Sequence, residues 1–344
     1  MNPTTAPSRA GILAGGNWIV DHVKLIDAWP PQDALANIVA ESWANGGSPY
    51  NILKDLAKLG APFPLAAAGL VGDDADGERI LADCAAHGIE TGLLRRCPGT
   101  PTSYSDVMTD RQTGRRTFFH QRGANARLGP EHFDFRGRTE RIFHLGYLLL
   151  LDRLDELAAG RPRCREVLAR ARAAGMLTSV DCVSENSGRF QSVVRPALPD
   201  VDWLFANDFE AERITGVALR EGGRLGRERV EKAAEALIRD GVRQWVILHA
   251  PEAAYARHVS GAGCWQPSLR VPAAVIQGTA GAGDAFAGGV LFSLHEQRPM
   301  PEALRLGVCA AASCLSHPTC SEGVREASRC LQLEAAYGWQ ELPG

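Results

Sequence analysis

What the sequence lacks narrows its class before any motif is read. No apolar run approaches the length of a membrane span; the best stretch, Ile142 to Leu151, is strand-sized and bounded by charges. Met1 to Arg9 is polar and proline-bearing, without the apolar segment of a signal peptide. Neither sign of charge dominates: 37 basic and 40 acidic residues give a net charge of −3, which points away from nucleic acid and membrane surfaces. The nine cysteines are odd in number and scattered, so they read as reduced thiols of a cytoplasmic protein rather than a disulfide framework. There is no internal repeat, no P-loop Gly-Lys-Ser or Gly-Lys-Thr, and no Rossmann fingerprint.

What is present is a chain of 344 residues, 45% hydrophobic and 22% charged, able to bury a sizeable core. Residues 11 to 20 read as a buried first strand ending at Asp21-His22, followed by an extended excursion. Asn45-Gly46-Gly47-Ser48-Pro49-Tyr50-Asn51 then opens a helix whose apolar face is Ile52, Leu53, Leu56 and Leu59, with Pro49 in the first turn and Gly60 as its stop. A strand at Phe63–Val71 leads to a helix of about 76–86 capped by Asp73 or Asp74. Thr102 to Asn125 reads as a β-hairpin turning at Asp110–Gly114. Beyond it, strands near 141–151, 177–183, 201–207 and 245–248 alternate with helices, which implies a parallel sheet covered on both faces. Residues 219–229 read as a mobile surface loop, and the segment after Arg329 carries little signal. The reading is a flexible N-terminus (1–10), one domain (11–330) with lid segments at about 22–44 and 100–125, and a C-terminal tail (331–344).

The chemistry concentrates in Gln277-Gly278-Thr279-Ala280-Gly281-Ala282-Gly283-Asp284, followed by Phe286, Val290, Leu291 and Leu294 at helical spacing. A tight glycine-rich loop feeding a helix offers free N–H groups and a positive dipole end to an anion. An aspartate there is either a helix cap or an acid facing a phosphoryl group and its attacker. Cys309, Cys314, His317 and Cys320 have a spacing compatible with zinc, but the first two sit in an alanine-rich helical run where small thiols pack. No metal ligand is assigned directly.

With Gly46-Gly47-Ser48-Pro49-Tyr50-Asn51 and Gly281-Ala282-Gly283-Asp284 as its two signatures, the sequence resembles the PfkB/ribokinase family of carbohydrate kinases from about residue 11 to 325. Leu70-Val71-Gly72-Asp73-Asp74, Arg122-Gly123-Ala124-Asn125 and Asn207-Asp208-Phe209-Glu210 are similar to further family segments. The resemblance implies a ribokinase-like α/β fold, a mostly parallel doubly wound sheet with a small β-sheet lid, and ATP-dependent transfer of a phosphoryl group to a hydroxyl of a small sugar. It implies Asp284 as general base, the amides of Gly281, Ala282 and Gly283 as anion hole, and Asp21, Gly46, Gly47 and Asn51 around the sugar. Asn207 and Glu210 would organise Mg2+ and the phosphates. A nucleoside kinase, or a catalytically weak sugar- or nucleotide-binding protein, stays open as an alternative. A homodimer through the lid is the expected partner.

Three positions depart from the family pattern. Gly278 stands where an aspartate usually helps hold a monovalent cation, which puts potassium in doubt. His249-Ala250-Pro251-Glu252-Ala253 replaces a Gly-x-x-Gly turn beneath the nucleotide, and His249 itself reads as a packed side chain. Cys182 to Asn186 lacks the Asp-x-Asn-x-Arg pattern of fructokinase-like members.

Overall fold

The computed structural model describes residues 9–344. The chain opens with β1 (Ile12–Gly16), β2 (Ile19–Ile26), β3 (Ile38–Gly46) and helix α1 (Ser48–Lys58). There follow β4 (Leu65–Gly72), α2 (Ala75–Ala86), β5 (Ile89–Cys97), β6 (Ser103–Asp110), β7 (Arg116–Gln121) and β8 (Ile142–Leu148). The second half carries α3 (Cys164–Ala173), β9 (Leu177–Cys182), β10 (Trp203–Asn207), α4 (Asp208–Thr215), α5 (Arg227–Arg239) and β11 (Trp245–His249). It closes with β12 (Ala253–His258), β13 (Gly263–Pro267), α6 (Ala282–His295), α7 (Met300–Cys314) and α8 (Ala327–Tyr337).

The main sheet runs β13-β12-β11-β10-β9-β8-β1-β4-β5 and is parallel from β11 to β5. Burial alternates along it as the pleat requires. Ile12 and Ala14 join the core beneath α1, α6 and α7, while Leu13 joins the opposite core beneath α3 and α5. Each fully buried Leu or Ile contributes roughly 1.5–3 kcal/mol, so both faces must be covered for this sheet to persist in water. No helix among the described residues is long and apolar enough to cross a membrane.

Local signals place the helix ends. Pro49 occupies the first turn of α1, and Gly47 before it has φ 95°, where a Cβ would lie 2.1 Å from Asn17 O. Asp74 caps α2 by accepting from Gly77 N at 2.9 Å, whereas Asp73 is exposed. Asn207 and Glu210 form a reciprocal capping box on α4, which ends at Gly216 in the left-handed region.

A second sheet of order β3-β2-β6-β7 stands apart from the first. It is built from the excursion after the first strand and the hairpin, as expected. Strand β2 pairs antiparallel with β3 and parallel with β6.

Several local readings need correction. Residues 11–20 are not one strand: the chain leaves the main sheet at Asn17-Trp18, and Asp21 lies inside lid strand β2 rather than at the end of the first strand. Trp18 N–H donates to Asn125 Oδ1 and Trp18 O accepts from Asn125 Nδ2, which holds the crossing point. Residues 219–229 are no free loop. Residues 220–225 form a short hairpin and 227–229 begin α5; Leu219 and Leu225 are buried, and Arg220 is engaged by Asp208 and Glu252. The helix before Gly175 spans only Cys164–Ala173. The antiparallel strands β12 and β13 carry no alternation-with-helix signal and were not anticipated. The segment after Arg329 continues α8, and Trp339 pairs with Leu269. Residues 1–8 of the N-terminal stretch lie outside the described residues; Arg9 donates to Glu140 O and Arg138 O.

Candidate active site

The C-terminal ends of the parallel strands and the N-terminus of α6 converge on Asp284, which is where an open α/β sheet places its ligands. Gly281 is the N-cap of α6 with φ 78°, and a Cβ there would lie 2.5 Å from Cys320 O, so only glycine fits this turn. The first amides of the helix have no carbonyl one turn back; Ala282 N–H reaches Thr279 O at 3.3 Å.

Asp284 is 5% exposed. Asn51 Nδ2 donates to its Oδ2 at 2.8 Å, and Tyr147 Oη lies 2.7 and 2.6 Å from its two oxygens. Burial and the charge of Asp181 push its pKa up to about 7, against the two hydrogen bonds. Asp181, at the end of β9, accepts from Ser48 Oγ at 3.1 and 2.9 Å, and Ser48 also meets His144 Nε2 at 3.0 Å. Its charge raises Glu210 as well as Asp284.

The second sheet brings further polar groups together. Gly46 approaches Asp21 so closely that a Cβ would lie 3.1 Å from Asp21 Oδ2. Burial pushes Asp21 up to about 6, countered by Ser105, His22 and Arg116. Asn17 Oδ1 accepts from Tyr147 N at 2.8 Å, while Asn17 Nδ2 is buried without a partner. In the lid, His120 Nδ1 pairs with Ser105 Oγ at 3.1 Å and its Nε2 has no partner.

A cavity of about 550 Å³ is lined by Asn207, His249, Pro251, Val271, Gly283 and Phe286 among others, a size suited to a cofactor-scale ligand. His249 is driven down to about 4 by burial and packs on Phe286 with ring centroids 5.0 Å apart, so it is a neutral, packed wall residue. The N-terminus of α6, at Ala282 and Gly283, forms part of the wall of this chamber.

The sequence pattern of pfkB family carbohydrate kinases matches residues 17–327. The chain belongs to the pfkB family of carbohydrate kinases. It is 27% identical over 317 residues to the ATP-dependent ribose-1-phosphate kinase of Halopiger xanaduensis, covering 92% of this chain and 94% of that protein. The solved structure of Arabidopsis thaliana ribokinase complexed with ribose and ATP superposes with a TM-score of 0.76 at 20% identity, over 94% of this chain and 98% of that one. Ribokinase from Thermotoga maritima does so with a TM-score of 0.77 at 20% identity, over 93% and 98%. The ribokinase-like fold and the kinase class expected from the two signatures are thus established.

Within this pfkB-family kinase, Asn51 is bonded to Asp284, Gly46 packs against Asp21, Gly47 opens α1, and Asn207 lines the cavity. Glu210 is buried, not exposed filler: its Oε2 accepts from Asn207 N and its Oε1 from Ser184 Oγ, and burial pushes it up to about 7. Asn125 is buried, and its side chain clamps the backbone of Trp18. Cys309 and Cys314 are buried in α7, and Cys314 Sγ donates to Cys320 O at 2.7 Å; no group of three or more metal-ligating side chains occurs among the described residues.

Sequence reasoning missed Asn17, Tyr147 and Asp181. The last two end parallel strands, and the rule that ligands gather at carboxyl ends would have singled them out. Asn17 was hidden by reading 11–20 as one strand.

Proposed function

We propose that this kinase transfers the γ-phosphoryl group of ATP to a hydroxyl of a small sugar, with Asp284 as general base and the amides of Gly281, Ala282 and Gly283 as the anion hole. The observation that carries this is Asp284 in the first turn of α6, held by Asn51 and Tyr147, where Ala282 and Gly283 line the apolar chamber. ATP seated in the chamber presents its phosphates to the α6 amides. A sugar held by Asp21, Gly46, Gly47 and Asn51 presents its hydroxyl to Asp284, which takes the proton as the new P–O bond forms. The partnerless Asn17 Nδ2 and His120 Nε2 suit a polyhydroxylated ligand. The similarity to the ribose-1-phosphate kinase supports a pentose-type acceptor.

Mg2+ takes one or two carboxylates and completes its shell with water and phosphate; Asn207, which lines the chamber, and Glu210, joined to it in the capping box of α4, would organise the ion and its waters, with Asp181 as a further carboxylate whose charge reaches Glu210. Bound there it would neutralise phosphate charge. Potassium fits poorly. Gly278 supplies no acid, and a Cβ there would lie 3.0 Å from Pro318 Cα and 3.1 Å from His317 O, so the neighbouring backbone would have to give way to admit one.

A homodimer through the lid is part of the reading, because Ile38, Val39, Trp43, Phe118 and Phe119 leave the lid strands exposed and apolar. Sedimentation as a monomer at micromolar concentration would overturn that part.

The test of the activity is ADP release from Mg-ATP against a panel of pentoses, pentose phosphates, hexoses, sugar acids and nucleosides. Turnover with a sugar supports the reading; turnover confined to nucleosides, or silence with sugar binding intact in calorimetry, overturns it.

A further inference from the structure

Helix α1 carries a polar stripe into the interior. Ser48 meets Asp181, Asn51 meets Asp284, and Asp55, four residues after Asn51, continues the same face. Asp55 is fully buried, and neither of its carboxyl oxygens has a hydrogen-bond partner. It packs where α6 has no side chain: a Cβ on Gly288, one turn beyond Asp284, would stand 3.3 Å from Asp55 Cβ. Two more polar atoms are buried without partners nearby, Asn51 Oδ1 and Ser321 Oγ. Ser321 is the polar side chain that acts most on Asp55, though no hydrogen bond between them is formed in this geometry.

Donor counting decides the state of the group. Among the described residues neither carboxylate oxygen nor Asn51 Oδ1 receives a hydrogen bond, and the Ser321 hydroxyl is the unpaired donor beside Asp55, so an ionised Asp55 would be a buried charge served by at most that one hydroxyl. With Asp55 protonated, a second donor appears and every atom can be served: Ser321 O–H to Asp55, and Asp55 O–H to Asn51. Among the charged and titratable groups around it, Asp284 on α6 repels a second negative charge, while Lys58 and Lys54 on its own helix favour the ionised form but are bonded to Glu322; Cys314 is a buried thiol and Cys320 a half-buried one. Burial, the largest influence, holds the Asp55 carboxyl well above its ordinary range.

We propose that Asp55 is a positioning residue of the transfer site, a neutral acid that donates to Asn51 Oδ1 and so fixes the amide that holds Asp284. An amide whose oxygen is engaged cannot flip, and its Nδ2 stays directed at Asp284 Oδ2. The role rests on the reading of Asp284 as the base.

The experiment compares wild type, Asp55→Asn, Asp55→Leu and Asp284→Asn for kcat, KM for ATP, the pH profile of kcat and melting temperature. Asparagine keeps one donor and one acceptor, so Asp55→Asn should retain kcat and an unmoved acidic limb. Asp55→Leu should lose roughly tenfold in kcat, the order expected for a hydrogen bond to a charged group, with KM for ATP little changed and the acidic limb moved to higher pH. An Asp55→Asn protein as impaired as Asp55→Leu overturns the proposal, because an ionised Asp55 would then be the working form. So does an Asp55→Leu protein with wild-type kcat and profile. Should Asp55→Leu fail to fold, the profile of Asp55→Asn alone decides between the neutral and ionised forms. An active Asp284→Asn protein would sink the base assignment itself, and the positioning role with it; an inactive one beside a wild-type-like Asp55→Leu sinks the positioning role alone.

Discussion

Tyr147 Oη lies 2.7 and 2.6 Å from the two carboxylate oxygens of Asp284, from a strand end 137 residues away in the chain. The hydroxyl favours the ionised acid, whereas burial and Asp181 favour the protonated one. Tyr147→Phe removes that support, so the Asp284 pKa rises. The expected result is a kcat that falls more at pH 7 than at pH 9, read from pH profiles of both proteins. An unshifted acidic limb would show that Tyr147 is not coupled to the base.

Wild-type kcat should rise with pH through about 7, as Asp284 loses its proton. Asp181→Asn removes a neighbouring negative charge, so the remaining acid ionises more easily and the limb should move to lower pH. Because Asp181 is also proposed to assist Mg2+, its replacement should raise the magnesium needed for half-maximal rate. The shift of the limb at saturating magnesium separates the two effects.

Asp284→Asn should lower kcat by about 10²- to 10⁴-fold, the usual contribution of a general base, while calorimetry still records sugar binding. The same change should raise stability at alkaline pH. The folded-state pKa of about 7 exceeds the ordinary 3.8, so the unfolded chain loses the proton first and stability falls as pH rises from one value to the other. Asparagine escapes that loss. At pH 8 the variant should melt above wild type, and a lower melting temperature there would contradict the assigned shift.

Potassium should leave turnover unchanged. Gly278→Asp would have to push the backbone of His317 and Pro318 aside, so it should lower the melting temperature rather than create potassium activation. Stimulation of the wild-type enzyme by potassium over sodium is the result that would refute this.

Asn125→Ala should destabilise the junction between the two sheets. Both polar ends of Asn125 serve the backbone of Trp18, at 3.1 and 3.0 Å, and leaving two buried backbone groups unpaired costs about 1–3 kcal/mol each. Denaturant unfolding measures the loss; a difference below about 0.5 kcal/mol, the range of ordinary surface changes, would show that the clamp is dispensable.

Sequence by itself determined what depends on neighbours in the chain. Alternation of apolar runs with helical spacing sufficed for the α/β class, Pro49 and Gly60 for the limits of α1, and the turn at Asp110–Gly114 for the lid hairpin, because turn chemistry and periodicity act over a few residues. The two glycine-rich helix starts were legible for the same reason. Tertiary structure alone decided that the chain crosses between sheets at Asn17-Trp18, since the anchor, Asn125, lies 107 residues away. It alone decided that β12 and β13 extend the sheet antiparallel, that Tyr147 and Asp181 surround Asp284, and that Asp55 sits unpartnered behind Asn51. Burial and proximity between distant segments shift those acids and leave the Asp55 oxygens unpaired, and neither quantity exists until the chain has folded.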